Sequence, residues 1–459
     1  MAKFDTFLSD IKGKSAAVLG LGVSNRPLIR ILSEAGVKIT VCDKKEASAF
    51  ASLMPELQKQ GISFRFGERY LEGLDQDYIF RSPGIRPDHP LLKKAAESGS
   101  VITSETEVFL EVCPCPVIAV TGSDGKTTTS TLISKIVEEM GKKCYLGGNI
   151  GKPLLKAASS INEDDIAVLE LSSFQLMTMK KSPKISVVTN VAPNHLDWHT
   201  SMEEYITAKE NIFKYQGKND TVVLNADNKV TAGYALTAPG RVILFSRKNK
   251  LNDGVYINSG EIRIKGKTVV ALNDILLPGQ HNVENYMSAA AACWALFGED
   301  CFEAVRRVAA TFKGVEHRIE FVREKDGVRF YNDSIASSPT RTIAGLNSFG
   351  KKVLLIAGGY DKHIPFDVLG PEIAKHVKAL YLTGQTAGKI KEALVNCPEY
   401  NPEELKVKEY PLFSDAVTAS AKEAQKGDIV LMSPACASFD AFKNFEERGQ
   451  KFKDIINSL

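Results

Sequence analysis

The chain has 459 residues, 44% hydrophobic and 25% charged, with a formal net charge of +3. That length points to roughly three domains, and the near-neutral balance lacks the basic field that nucleic-acid binding needs. The opening segment MAKFDTFLSDIKGK has no apolar signal core, and runs such as Val353–Ala357 are too short to span a bilayer, so neither nucleic acid nor membrane insertion is expected.

In chain order, the first β-rich run is Ser15–Gly20, followed by a glycine turn, a helix near Pro27–Ala35 and a strand Lys38–Cys42. The turn VLGLGVSNRP offers Gly20 and Gly22, and Asp43 ends the next strand. The third glycine of a dinucleotide fingerprint is replaced by Asn25, so a nicotinamide cofactor is poorly supported while the fold inference survives. Cys113–Pro116 (CPCP) resists helix and marks the first linker. Its two cysteines, one residue apart, are the only close pair among eight, and no CxxC occurs. A zinc site or disulfide framework is therefore not expected, and the cysteine usage suits a reducing, cytoplasmic compartment.

A second set of strands is read at Val117–Thr121, Ile166–Leu171 and Ile185–Asn190, with a hairpin pattern over Gly254–Lys265. An apolar helix Tyr286–Phe297 and a helix Glu303–Thr311 lead to a second linker near Lys313–His317. A third set contains Val328–Tyr331, Val353–Ala357, Ala379–Thr383 and Ile429–Met432. Strands alternating with helices argue for an α/β chain of parallel sheets. The expected architecture is three domains: N-terminal Rossmann-like (1–110), central P-loop ATPase-like with a parallel sheet (111–314) and C-terminal Rossmann-like (315–459).

The most informative segment is VIAVTGSDGKTTTST, Val117–Thr131. A buried strand runs into a loop with Gly122, Ser123, Asp124 and Gly125, then Lys126, Thr127, Thr128 and a helix. Glycines let backbone N–H groups close on phosphate oxygens, and the helix N-terminus adds positive dipole. Lys126 can reach terminal phosphates and the Thr127 hydroxyl can ligate Mg²⁺. The spacing is GxxGK[ST], shorter than the usual loop, because position 120 is valine. Strand, glycines, lysine, threonine and helix agree on a nucleoside triphosphate site.

With that loop in place, the chain resembles the Mur ligases of bacterial cell-wall synthesis. The resemblance rests on SPGI at Ser82–Ile85, TGSDGKTT, GGNIG at Gly147–Gly151 and LELSSFQL at Leu169–Leu176. It continues with NHLDWH at Asn194–His199, GQHNVEN at Gly279–Asn285, EHRIE, YNDSIAS, GGYDK and SPACASFDAFKNFEERG. The SPG turn and the last segment point to the branch that adds D-glutamate. The resemblance implies an ATP-dependent carbon–nitrogen ligase of peptidoglycan precursor synthesis. It would join D-glutamate to UDP-N-acetylmuramoyl-L-alanine through an acyl phosphate and release ADP and phosphate. Its substrates would be small molecules, and a monomer is expected. The alternatives are another Mur-type or folylpolyglutamate-type ligase, or a non-catalytic nucleotide-binding protein on the same scaffold.

The resemblance also assigns residues. Lys126, His195 and Lys209 are catalytic. Thr127, Glu170, His195 and Lys209 hold two Mg²⁺ ions, although Lys209, in EEYITAKENIF, by itself reads as an exposed helix lysine. The family carbamylates the matching lysine, which turns a cation into an oxygen ligand. ATP would also meet Asn282, Asn285, Arg318 and Asp333, although asparagines at the start of the Tyr286–Phe297 helix commonly serve as caps. ATP held by two domains would make domain closure complete the site. The substrate set is Gly22, Val23, Ser24, Asp43, Ser82 and Gly84 for the uridine diphosphate end, with Asn149 and Ser172. For the amino acid it is Ser337, Lys362, Ser438 and the backbone near Phe445. Lys44–Lys45 stand where the family often has Thr-Arg, and Ile335 and Ser337 where it often has Lys and Thr.

Overall fold

The computed structural model describes residues 3–22, 25–195 and 198–459, and among them three sheets form. The first is five-stranded and parallel, ordered Ser63–Phe66, Lys38–Asp43, Ser15–Leu19, Tyr78–Arg81 and Val101–Thr103. The second has nine strands. Seven run parallel from Cys144–Gly148 at one edge to Gly254–Asn258, and Glu261–Ile264 and Lys267–Ala271 add antiparallel. The hairpin expected over Gly254–Lys265 is therefore present, with a third strand beside it. The third sheet has six strands, with Glu320–Lys325 antiparallel at one edge and five parallel strands ending at Lys406–Tyr410.

The residues divide into two compact units. One contains residues 1–272 and 284–308, and with them the first two sheets; the other contains 273–283 and 309–459, with the third sheet. In the first unit a continuous buried cluster runs from Val18 and Phe109 through Cys113 and Cys115 to Ala119 and Leu169, so the CPCP linker packs into a shared core. The second unit packs Leu355, Leu380 and Leu431 on one face of its sheet and Ile356, Tyr381 and Phe452 on the other. Burial on both faces explains why such strands read as unbroken apolar runs.

Each sheet places a loop cluster outside the carboxyl ends of its strands, at the point where strand order reverses. Val117–Thr121 is fully buried and lies between Ile166–Glu170 and Ile185–Val188, with Val120 opposite Glu170 and Thr121 opposite Val188. Leu19 pairs with Arg81, which brings the turns after both strands together. In the third sheet Ile429–Met432 lies between Val328–Asn332 and Val353–Ala357, so Asp333, Ser433 and Gly358 leave neighbouring strand ends.

Candidate active site

The strand Val117–Thr121 ends in a loop that only glycine can shape at two points. Gly122 has φ +152° and Gly125 φ +78°; a Cβ on the first would lie 1.9 Å from Thr189 Oγ1, and on the second 2.3 Å from Asn285 Oδ1. Helical bonding starts with the Thr129 N–H donating to Gly125 O at 2.9 Å, so the N–H groups before it form the open N-terminal turn of helix Lys126–Glu139. Ser123 is buried, with its hydroxyl 2.9 Å from Tyr205 Oη; Thr127 is half-buried and Thr128 buried. Asp124 is fixed through its backbone, its N–H donating to Asn190 Oδ1 at 3.0 Å and its carbonyl accepting from Thr189 Oγ1 at 2.6 Å.

Two lysines converge on this loop. Lys126 Nζ donates to the carbonyls of Gly122 (2.9 Å) and Ser123 (2.8 Å). Lys209 Nζ donates to the same Gly122 carbonyl at 2.8 Å and lies 4.6 Å over the Tyr205 ring. Lys209 is 1% exposed, which corrects the reading of it as an exposed helix lysine. Its helix, Met202–Lys214, turns that position inward against the loop. Burial, and then the Lys126 charge, hold its ammonium well below the usual lysine range.

Glu170 ends its strand 1% exposed. Its Oε1 accepts from Asn149 Nδ2 at 2.8 Å, while Oε2 is buried without a hydrogen-bond partner among the described residues. An orphaned carboxylate oxygen at this depth is costly in a protein alone, and it suits a hard cation beside bound phosphate. Gly148 lets the Asn149 loop pass, since a Cβ there would lie 2.3 Å from Glu170 O. His195 is exposed at φ +55°, its ring edge-on to Phe174 at 5.1 Å. Ser172 caps the short helix Ser173–Leu176 in a reciprocal box with Gln175.

The turn after the first strand is closed from several sides. Asn25 Nδ2 donates to Gly20 O at 2.8 Å and to Ser82 Oγ at 3.0 Å, so the residue in the third-glycine position ties the two turns together. Asp43 accepts from the N–H groups of Leu21 (2.7 Å) and Lys45 (2.9 Å). Ser82 Oγ donates to Leu19 O at 2.5 Å. Gly22 and Gly84 face open space. Val23 and Ser24 lie outside the described residues.

The helix expected from Tyr286 begins at Gln280, so Asn282 and Asn285 lie within its first turns rather than capping it. Asn282 Nδ2 donates to Pro278 O at 2.5 Å, and Asn285 Oδ1 accepts from Thr129 Oγ1 at 3.2 Å.

In the second unit Asp333 is buried, accepting from Ser433 Oγ at 2.7 Å and the Ile319 N–H at 3.3 Å. Burial pushes its carboxyl up to about 7, against the pull of Ser433 and Arg318. Arg318 lies between two left-handed residues, His317 (φ +62°) and Ile319 (φ +45°). Lys362 is exposed on the loop after Gly359, Ser337 half-buried and Ser438 buried. The Phe445 carbonyl accepts from Ser334 Oγ at 2.7 Å.

Sequence reading missed three arginines that organise these loops. Arg81 donates to the carbonyls of Ile85 (2.6 Å) and Phe174 (3.1 Å), linking the SPG turn to the segment after Glu170. Arg86 binds Glu204 at 2.8 Å and stacks 5.0 Å over Trp198, and with other contacts holds the Glu204 carboxyl down at about 2. Glu204 and Ser173 in turn hold the His199 ring. Arg448 is buried beneath the loops of the second unit. Arg86 and Arg448 stand in the SPGIR and NFEERG runs and Arg81 directly precedes the first, but Phe174, Glu204 and Ser334, which they tie in, lie far away in sequence.

Residues 14–104 match the family model described as "Mur ligase MurD-like, N-terminal domain", 120–293 "Mur ligase middle domain" and 317–436 "Mur ligase, glutamate ligase domain". A relative from Acetivibrio thermocellus, named UDP-N-acetylmuramoylalanine–D-glutamate ligase, is 52% identical over 100% of this chain and 99% of its own. A protein of the same name from Clostridium novyi is 50% identical over 99% of each chain. Among solved structures, UDP-N-acetylmuramate-alanine ligase MurC from Thermotoga maritima shares the fold at TM-score 0.57 and 18% identity, covering 97% of this chain and 99% of that one.

Proposed function

The chain belongs to the Mur ligase family, and from that premise we propose that it is the ATP-dependent ligase joining D-glutamate to UDP-N-acetylmuramoyl-L-alanine. The reaction releases ADP and phosphate and serves peptidoglycan precursor synthesis. The observation that carries this reading is the phosphate loop, where Lys126 and Lys209 meet at the Gly122 carbonyl beside a helix N-terminus, with the buried Glu170 carboxylate ending the neighbouring strand. The Lys126 cation and the N–H groups of the helix N-terminus suit a triphosphate.

The substrate's terminal carboxylate attacks the γ-phosphorus of ATP. Lys126 and the loop amides bear the charge that develops on the phosphoryl oxygens. The neutral amine of D-glutamate then attacks the acyl phosphate, and the tetrahedral adduct collapses to amide and phosphate. Thr127, Glu170, His195 and Lys209 would hold two Mg²⁺ ions. When bound, these supply charge neutralisation and orientation for the phosphates. The orphaned Glu170 Oε2 fits that role. A carbamate on Lys209 would give its buried position an oxygen donor, and among the described residues its hydrogen-bond partners are the Gly122 carbonyl and the Thr121 hydroxyl, not a carboxylate.

Asp43, Ser82 and the turns around Gly22 and Gly84 take the uridine diphosphate end, with Val23 and Ser24 assigned by sequence alone. Asn149 and Ser172 shape the substrate path. Asn282, Asn285, Arg318 and Asp333 serve the nucleotide, and Ser337, Lys362, Ser438 and the Phe445 backbone the amino acid. Domain boundaries at 110/111 and 314/315, a monomeric state and a cytoplasmic location belong to the same reading. Among the described residues no helix is long and apolar enough to cross a membrane.

The test is phosphate release from ATP with UDP-N-acetylmuramoyl-L-alanine and, separately, D-glutamate, L-glutamate, L-lysine or diaminopimelate. Release with D-glutamate alone and a product mass matching the amide is the expected result. Release with another amino acid keeps the chemistry and overturns the branch; no release with any of them overturns the reaction.

A further inference from the structure

Arg448 is 2% exposed, the largest of the fully buried side chains among the described residues. Its Nε donates to Ser334 Oγ at 3.0 Å, Nη1 to Ala437 O at 3.0 Å, and Nη2 to Ser334 O at 2.9 Å and Cys436 O at 3.0 Å. None of these acceptors is a carboxylate. Burial pushes the guanidinium down to about 10, and Cys436, Asp440 and Asp333 act on it only through space. A buried cation answered only by carbonyl and hydroxyl dipoles costs stability that an apolar side chain of similar size would not.

Its acceptors sit at the roots of the loops bearing Ser337 and Ser438, and one of them reaches the loop bearing Lys362. Ser334 lies three residues before Ser337, and its hydroxyl also donates to Phe445 O. Ala437 precedes Ser438, and its carbonyl also accepts from the Tyr360 N–H at 3.0 Å, two residues before Lys362. Gly359 passes so close that a Cβ there would lie 3.1 Å from Arg448 Nη1. One planar fork therefore ties two strand ends together, and the Ala437 carbonyl it holds brings in the third, which a lysine's point charge cannot do.

We infer that Arg448 is the positioning residue of the amino-acid site: through Ser334, Cys436 and Ala437 it fixes the loops bearing Ser337, Lys362 and Ser438, and it lends them a positive charge that a second substrate carboxylate answers. The inference rests on the D-glutamate reading and adds a source for its selectivity. An amino acid with an uncharged amine and two carboxylates gains from a cation beneath its pocket, while a neutral side chain gains nothing comparable.

The experiment compares Arg448→Lys, Arg448→Gln and Ser334→Ala in the full chain, measuring KM for D-glutamate, ATP and UDP-N-acetylmuramoyl-L-alanine alongside thermal melting. Arg448→Gln is expected to raise KM for D-glutamate about thirtyfold or more, with the other two KM values within about threefold of wild type. Arg448→Lys, keeping charge but not the fork, should fall between Gln and wild type. Ser334→Ala, which removes one acceptor and the bond to Phe445 O without touching the charge, should raise KM for D-glutamate several-fold. Arg448→Met, apolar and of similar length, decides the matter if the Gln and Lys variants do not fold. Equal rises in all three KM values, or an unchanged D-glutamate KM in the folded variants, overturns the inference. Failure of the wild type to form the D-glutamate amide instead overturns the reading on which it rests.

Discussion

Lys126 and Lys209 donate to the same carbonyl oxygen, that of Gly122, at 2.9 and 2.8 Å. Burial and the Lys126 charge hold the Lys209 amine well below the usual lysine range, so in the protein alone the pairing of these two amines on one carbonyl does not favour folding. A triphosphate reverses the sign. Lys126→Met should therefore lower kcat by about a thousandfold, the scale of losing a charge-stabilising donor, while leaving thermal melting unchanged or higher. A melting temperature that drops sharply would make Lys126 structural.

Lys209 differs because it is buried. Lys209→Ala should be inactive and should regain part of its activity with added acetate or another short carboxylate standing in for the carbamate oxygens. In wild type, carbon-13 bicarbonate should give a carbamate resonance that Lys209→Ala lacks. Full activity of the alanine variant without additive removes the proposed ligand.

Glu170 offers Oε2 to a cation because Asn149 occupies Oε1 and fixes the carboxylate plane. Asn149→Ala should raise the Mg²⁺ concentration for half-maximal activity about tenfold, the usual effect of losing a residue that orients a metal ligand. Glu170→Gln should raise it further, and should abolish any Mg²⁺-induced rise in melting temperature measured with ADP. An unchanged Mg²⁺ dependence in both variants places the ion elsewhere.

Gly125→Ala meets two obstacles, a left-handed φ of +78° and Asn285 Oδ1 at 2.3 Å. Backbone strain of this kind costs about 1–3 kcal/mol, and the clash adds to it. The double variant with Asn285→Ala should recover the steric part and leave the strain, a coupling that a mutant cycle in denaturant measures. Simple additivity of the two single losses would mean that the side chain moves aside.

The parallel strands and the phosphate loop were legible because their signals are local: apolar runs buried on both faces, and glycines at fixed offsets before a lysine. Residue burial was not legible for Lys209, whose helix pattern says nothing of the loop that it faces. Asn282 and Asn285 read as caps because the apolar run starts at Tyr286, yet Gln280–Asn285 becomes helical as Asn282 bonds back to Pro278 and Asn285 packs on Gly125 and Thr129. Arg81, Arg86 and Arg448 escaped notice because their acceptors are mostly backbone carbonyls or partners distant in sequence, which composition and spacing do not encode.

Asp333 sets a pH dependence of stability. Its carboxyl titrates near 3.8 when exposed and is pushed up to about 7 in the fold, burial being the first cause. Between those values the folded chain keeps a proton that the unfolded chain has lost. The group's favourable contribution is complete below about pH 4 and declines by about 1.4 kcal/mol per pH unit until pH 7. Asp333→Asn removes that slope. The stability of Asp333→Asn relative to wild type should accordingly rise from pH 4 to pH 7 and level off above it, as read from urea unfolding across the range. The Ile319 N–H holds one carboxyl oxygen and the Ser433 hydroxyl meets the other; that hydroxyl can donate to Thr342 Oγ1 and accept from an amide N–H₂ as from a protonated carboxyl. The curve should therefore start near wild type at low pH. A pH-independent difference would mean that Asp333 is ionised in the fold throughout, with Arg318 and Ser433 outweighing burial.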